Sequence, residues 1–272
     1  MTSPFSENRI HHRGGLALIR ATWASWMQER SFFFILAFLW MIPPLIALFV
    51  WLAAAGDGEI AGMRRGAFVA YYLLIVLVNQ FTYAQTNWTV GDVIRMGGLT
   101  PWLLRPIPPI YNFLASEVAG RVVFMAFVIP ASALLALILK PELDPTPQQV
   151  ALFIPALLVA WALRFLWGLW LAELAFWATR SDALLVVQDA LVFTLAGTVA
   201  PLALMPPALA QAAVILPFRY MVGFPVEILT GQLNGSQILA GFVAQAGWLA
   251  VALALAVTLW KAGVRRYSAV GG

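Results

Sequence analysis

The chain has 272 residues, of which 62% are hydrophobic and 10% are charged. Soluble domains carry about 25% charged residues, so most of this surface cannot face water, and the composition predicts an integral membrane protein. The absence of cysteine excludes disulfides, thiol redox chemistry and cysteine-ligated metals. The 16 Lys and Arg residues form no basic cluster, so no nucleic-acid partner is expected.

Six apolar stretches are each long enough to cross a bilayer core about 30 Å thick, which takes about 20 helical residues. They predict an all-α fold with six transmembrane helices in a single domain, residues 1–272. The predicted spans are residues 32–54, 66–86, 118–139, 150–179, 183–204 and 237–260.

Residues 14–30 precede the first span and alternate apolar and polar side chains at helical spacing. The pattern predicts an amphipathic helix in the membrane interface, with Trp23 and Trp26 at the boundary. The alternative is that these residues are simply the start of the first span.

Several polar and charged side chains fall inside predicted spans, where each needs a partner or a water-filled path. Arg164 and Glu173 lie about 13 Å apart along one helix, too far to pair, so Arg164 is expected to meet a partner subunit. Glu173 and Asp189 are expected to reach the interface or to pair with a neighbouring helix. The predicted translocation path comprises Asn79, Gln80, Thr82, Arg164, Glu173 and Asp189.

Residues 205–231 contain four prolines and two apolar pieces of about ten residues, too short to cross a bilayer. They predict a re-entrant or surface-lying helical pair, which is tolerated where protein buries it.

Residues 87–117 are polar, interrupted by Gly and Pro, and lie between two predicted spans. The segment is therefore expected at one membrane surface, and we interpret it as the surface on which an external motor acts. The alternative is a loop whose arginines bind lipid phosphate.

The distribution of Lys and Arg predicts the orientation, because cytoplasmic loops carry the excess of both. One side of the six predicted spans has 11 of them and the other side has 4, with Arg164 inside a span. Residues 1–30, the segment 87–117 and the tail 261–272 are accordingly predicted to be cytoplasmic, and residues 205–231 external.

The chain has no G-x-x-x-x-G-K-[ST] loop, so it cannot hydrolyse a nucleotide by that route. It also lacks G-x-S-x-G, H-E-x-x-H and any Cys/His cluster. We therefore expect no enzyme activity, catalytic residue, metal site or cofactor in this chain.

Three segments occur in order along the chain: IRMGGLTPWLLRPIPPIY at 94–111, LPFRYMVGFPVEILTG at 216–231 and WKAGVRRYSAVGG at 260–272. Together they resemble the permease subunits of bacterial ATP-binding-cassette exporters of the type-2 membrane family, in particular a six-span branch. The first resembles that family's cytoplasmic R-x-G-x-L-x-x-x-L-L-R-P element, although Gly98 stands where an acidic residue is more usual.

The resemblance implies an interfacial N-terminal helix, a cytoplasmic coupling helix after the second span and an external re-entrant hairpin before the sixth. It implies ATPase-coupling roles for Arg95, Gly97, Leu99, Trp102, Leu103, Leu104, Arg105 and Pro106. Among these residues, the arginines would supply charged contacts with the ATPase, and Trp102 and the leucines would supply apolar anchors. The matched residues of the external re-entrant motif are Pro217, Phe218, Arg219, Tyr220 and Pro225.

The resemblance also implies partners. Two cytoplasmic ATPase subunits would bind ATP and Mg and drive export across the bacterial inner membrane, with a second permease completing a hetero-oligomer in the lipid. Two other functions remain open: a proton-coupled secondary transporter that uses Glu173 and Asp189, and a membrane scaffold that transports nothing. The sequence does not identify the cargo.

Overall fold

The structure is a computed structural model that describes residues 12–28, 30–105 and 107–267. Helices account for most of these residues, and none of them forms a strand. The helices are α1 (His12–Gln28), α2 (Arg30–Ala55), α3 (Arg65–Thr82), α4 (Asn87–Arg95), α5 (Thr100–Leu103), α6 (Ile110–Leu139), α7 (Pro147–Glu173), α8 (Asp182–Leu195), α9 (Pro207–Ile215), α10 (Gly223–Leu229) and α11 (Gly235–Val264).

Within the described ranges, five segments are long and apolar enough to cross a membrane. They correspond to the first four predicted spans and the sixth: Arg30–Ala55, Arg65–Arg95, Ile110–Leu139, Pro147–Phe176 and Gly235–Val264. The fifth predicted span, 183–204, is not one continuous helix. Helix α8 ends after 14 residues, or about 21 Å, and is followed by non-helical backbone at residues 196–201, here called the unwound segment.

Side chains from neighbouring helices satisfy the backbone of the unwound segment. The hydroxyl of Tyr71 donates to the carbonyl of Gly197 at 3.1 Å. The Val199 carbonyl accepts from Tyr72 at 3.0 Å and from the indole of Trp51 at 2.9 Å. Gly197 has φ +86°, and a Cβ there would lie 2.2 Å from the Tyr71 oxygen. Apolar composition predicted a continuous span, but this glycine ends the helix and the three donors replace its lost hydrogen bonds.

Helix α3 lies at the centre of the molecule. Thirteen of its 18 residues are buried, compared with six of 26 in the peripheral helix α2. Helix α7 is the other organising element, because it packs against α11, α10, α4, α3 and α8.

Helix α1 packs along α6, and it makes its closest approaches at glycines. Gly15 lies against the ring of Tyr111, and Trp26 lies over Gly120. Helix α1 therefore occupies the predicted place before the first span, and its junction with α2 falls at residue 29, outside the described residues. Its position at a membrane surface stays a prediction.

Helices α7 and α11 pack against each other and begin with the same motif. In α7, Thr146 and Gln149 each accept a hydrogen bond from the other's backbone N–H. In α11, Asn234 and Gln237 do the same, at 2.9 Å in both directions. These reciprocal capping boxes satisfy backbone donors that would otherwise have no partner, and they define where each helix starts.

The segment predicted as a re-entrant pair contains the short helices α9 and α10, and all seven residues of α10 are buried. Arg219, which the sequence placed among external charges, is buried and forms an ion pair with Glu227, with Nε to Oε2 at 3.0 Å. The amide of Gln245 donates to the carbonyls of Tyr220 and Ala156, both at 3.0 Å. The motif residues therefore belong to the protein core.

Replacing Glu227 with Gln should destabilise the protein, because it leaves the Arg219 guanidinium buried without its counter-ion. Removing one member of a buried pair costs about 3–5 kcal/mol, to be measured as the free energy of unfolding in detergent. Glu59→Gln is the control, since it breaks the exposed Arg64–Glu59 pair and should cost less than about 1 kcal/mol. Equal losses in the two variants would contradict the structural role of the buried pair.

Candidate functional site

The polar segment after α3 is more helical than a loop. It holds α4 and the single-turn helix α5, and α6 already begins at Ile110, inside the predicted 87–117 segment. We call residues 87–109 the coupling segment. It follows α3 after a break of only four residues, 83–86, so it is attached directly to the central helix.

An ion pair on α6 clamps this break. Arg121 donates to the carbonyls of Phe81 at 2.5 Å and Tyr83 at 3.4 Å, at the end of α3. Glu117 accepts the backbone N–H of Thr86 at 2.8 Å, next to the start of α4. The two side chains bind each other at 2.8 Å. The clamp thereby connects α3, α4 and α6 through charge-assisted hydrogen bonds.

Further contacts hold α4 against α7 and the start of α8. The amide of Asn87 donates to the Phe165 carbonyl at 3.0 Å. Arg95 donates to Asp92 and to the Thr179 carbonyl, and it lies 3.7 Å from Asp182. The Arg95 guanidinium is thus bound within this chain, and its expected contact with an ATPase stays a prediction.

The predicted coupling residues divide into buried and exposed groups. Gly97 ends α4 with φ +79°, Leu99 is fully buried, and Trp102 packs edge-on against Phe113 at 5.3 Å. The exposed group is Leu103, Leu104 (82% exposed) and Arg105, and Pro106 lies outside the described residues. Together with Met96 (81% exposed), to which the sequence analysis gave no role, these three residues form the docking edge.

A cavity of about 370 Å³, the inner cavity, lies beside the coupling segment. Its lining includes Trp40 of α2, Asn79 of α3 and Arg164 of α7. Tyr83 and Trp88 also line it, from the break and from α4. Helices on both sides of the clamp therefore share this cavity.

Arg164, which was expected to meet a partner subunit, has partners within this chain. One of its Nη atoms donates to Asn79 Oδ1 at 2.8 Å and to Thr82 Oγ1 at 3.3 Å. The other lies 3.6 Å from Asp189 Oδ1, on α8. Asp189 thus pairs with a residue of a neighbouring helix, which is one of the two outcomes expected from the sequence.

The remaining predicted path residues do not line the inner cavity. Gln80 is buried and donates to the Ala37 carbonyl at 2.8 Å, which ties α3 to α2. Thr82 supports Arg164. Glu173 is fully buried, and within the described residues neither of its carboxylate oxygens has a hydrogen-bond partner.

A second cavity of about 750 Å³, the outer cavity, lies near the starts of α7 and α11. Its lining includes the exposed carboxylates Glu142 and Asp144 and the buried pair Arg219–Glu227. Burial alone would lower the pKa of Arg219, but the Glu227 carboxylate outweighs that effect and raises it. Helix α3 lines both cavities. In the stretch directly after α8, residues 196–204, Thr198 lines the inner cavity, and Leu202 and Ala203 line the outer cavity.

Sequence reasoning assigned no role to several of these residues. The Glu117–Arg121 clamp has a detectable signal, because an acid and a base four residues apart share one face of a helix. Glu227 has a weaker signal, a lone carboxylate in a short apolar piece eight residues after Arg219. The aromatic residues of the inner cavity have none, because apolar spans are rich in aromatic side chains.

A family model described as "ABC-2 family transporter protein" matches residues 38–271. A comparison with curated proteins gave no match. The family match covers most of the chain, including the segments that hold both cavities, the clamp and the docking edge. Together with five helices long enough to cross a membrane, it shows that this chain is a multi-pass membrane transport subunit that belongs to the ABC-2 transporter family.

Proposed function

We propose that the chain is the permease of an ATP-driven exporter in a bacterial inner membrane. Two separate cytoplasmic ATPase subunits bind ATP and Mg and supply the energy, and a second permease completes the translocation unit. The observation that carries the proposal is the docking edge, an apolar rim held on a rigid segment and attached to the central helix.

The chemistry of the docking edge supports an ATPase as its partner. Met96 and Leu104 are largely exposed at the end of a polar segment, and the cytoplasmic position proposed for that segment leaves no lipid to cover them. Exposed apolar side chains beside a positive charge, here Arg105, are typical of a surface that docks into a cleft on another protein.

The clamp supports the transmission of movement from the docking edge into the membrane. A displaced α4 pulls on Glu117 of α6 through Thr86 and on α7 through Asn87. Packed helices linked by charge-assisted hydrogen bonds move as rigid bodies more readily than they deform. ATP-driven movement of the partner would therefore reach the walls of the inner cavity.

The fifth crossing in this proposal is discontinuous. Helix α8 enters the membrane, the unwound segment continues through it, and α9 and α10 form the external re-entrant part. Backbone that is not helical is tolerated at membrane depth where protein buries it. Both termini then lie in the cytoplasm, which agrees with the excess of Lys and Arg on that side.

One observation favours the second candidate, a proton-coupled transporter. Glu173 is a fully buried carboxyl group in the last turn of α7, without a hydrogen-bond partner among the described residues. Such groups occur in proton relays. Asp189, the other carboxylate of that hypothesis, is paired with Arg164, so the two acids do not form a direct relay.

Substitution of the docking edge should abolish ATPase recovery. Wild-type protein purified from its native membrane should carry ATPase activity, and Arg105→Glu or Leu104→Asp should lose it, because each puts a negative charge on the apolar rim. The measurement is ATP hydrolysis in the pulled-down material.

Asp57→Asn is the control, because it changes one charge in an exposed loop remote from the docking edge, and it should retain full recovery. Wild-type protein that comes out alone, or equal recovery with all variants, would refute the docking assignment.

The orientation can be tested with single cysteines, because the natural chain has none. Gly98 and Ser236 are both exposed and lie on opposite sides of the proposed membrane. A membrane-impermeant maleimide should label Ser236→Cys in intact cells and Gly98→Cys only after permeabilisation. Labelling of Gly98→Cys in intact cells would overturn the topology.

Glu173→Gln separates the two candidate functions. If transport is ATP-driven, the neutral isostere keeps the ATPase activity of the purified complex, because no proton has to pass through residue 173. Glu59→Gln, in an exposed loop, controls for the substitution. Solute movement in ATP-free vesicles under a pH gradient, lost in Glu173→Gln, would favour the proton-coupled transporter instead.

A further inference from the structure

The inner cavity combines aromatic walls with one accessible carboxylate. The rings of Trp40 and Tyr83 meet edge-on with centroids 3.6 Å apart, and Trp88 contributes a third aromatic surface. The volume of about 370 Å³ falls within the range of sites for small organic molecules.

The two charges in the cavity differ in accessibility. The side chain of Arg164 is 4% exposed, whereas that of Asp189 is 28% exposed. Hydrogen bonds to Asn79 and Thr82 hold the guanidinium from one side, and it also lies over the ring of Tyr83 at 5.0 Å. A molecule that enters the cavity therefore meets a negative charge.

Apart from Thr198, the rest of the lining is apolar, and it reaches the protein surface. Leu39 of α2 and Phe193 of α8 line the cavity and are themselves exposed. Because α2 is a membrane-crossing helix with few buried residues, this opening lies on an apolar face. It suits a ligand with an apolar body and a single polar head.

We propose that the inner cavity binds a lipophilic organic cation. The positive head lies against the Asp189 carboxylate and among Trp40, Tyr83 and Trp88, and the apolar body extends toward Leu39 and Phe193. Aromatic rings attract organic cations through their negative faces, and a nearby carboxylate adds direct charge attraction. This inference names the substrate class for the translocation path, and it rests on the proposed transport function.

A lipophilic anion is the competing ligand. Within the described residues, Nε of Arg164 has no hydrogen-bond partner and is a donor that an anion could use. The two charges lie 3.6 Å apart, so either ligand would have the repelling member of the pair beside it. Accessibility decides between them, because the Asp189 side chain is 28% exposed and that of Arg164 only 4%, and this favours the cation.

Tetraphenylphosphonium and tetraphenylborate provide a direct test, because they share size and shape and differ in the sign of their charge. The full chain, with any subunits that co-purify, is placed in nanodiscs of neutral lipid, and saturable binding of each radiolabelled ion is measured without ATP. We expect saturable binding of tetraphenylphosphonium and none of tetraphenylborate beyond partition into empty nanodiscs.

Variants locate the binding. Asp189→Asn should weaken tetraphenylphosphonium binding by about tenfold or more, because it removes the counter-charge. Since Asp189→Asn also leaves Arg164 without a carboxylate, Trp40→Leu gives a second test that keeps the ion pair, with an expected loss of about threefold to tenfold. Asp57→Asn, an exposed carboxylate in the loop after α2, is the matched control and should bind normally.

Several results would overturn the inference: preferential binding of tetraphenylborate, no saturable binding of either ion by folded protein, or unchanged binding in Trp40→Leu and a folded Asp189→Asn. The test is independent of the motor, because binding is measured without ATP. A protein that recovers no ATPase yet binds the cation through Asp189 would retain this site and lose the proposed ATP-driven function.

Discussion

The ion pair between Glu117 and Arg121 fixes the point at which the chain leaves α3 and enters α4. Helix ends leave backbone carbonyls and amides without partners, and at this break they lie inside the protein. Arg121 binds carbonyls at the end of α3, and Glu117 binds the amide of Thr86 before α4. Each charge therefore caps a helix and neutralises the other. The coupling segment, the central helix and the inner cavity all take their positions from this one pair.

The sequence was sufficient to predict features that depend on local composition. Five of the six spans correspond to long apolar helices, because about 20 apolar residues can satisfy their backbone only as a helix. The short helices α9 and α10 follow from prolines that prevent a longer one. A helix before the first span was likewise predictable from its alternating polar and apolar faces.

Features that depend on long-range contacts were not predictable. The partner of Arg164 is Asp189, 25 positions further along the chain on another helix, and no spacing rule reveals it. The prediction of a continuous fifth span was wrong, because composition does not distinguish Gly197 from its apolar neighbours. In the structure, the hydroxyls of Tyr71 and Tyr72 donate hydrogen bonds to backbone carbonyls of the unwound segment. The resemblance assigned the same coupling role to all residues of the motif, yet the side chain of Leu99 is buried in the core. A sequence motif gives the positions of residues but not the directions of their side chains.

The paired capping boxes on α7 and α11 have a consequence for bilayer thickness. Helices of 27 and 30 residues are about 40 and 45 Å long, which exceeds a hydrocarbon core of about 30 Å. Because Thr146 and Asn234 fix where these helices begin, neither can adjust its length by fraying at that end. Their surplus length is taken up by tilt or at the opposite end, where Tyr267 contacts Thr100 of α5. In the proposed orientation, a thicker or thinner membrane would therefore shift the docking edge relative to the lipid surface more than it would shift the outer cavity.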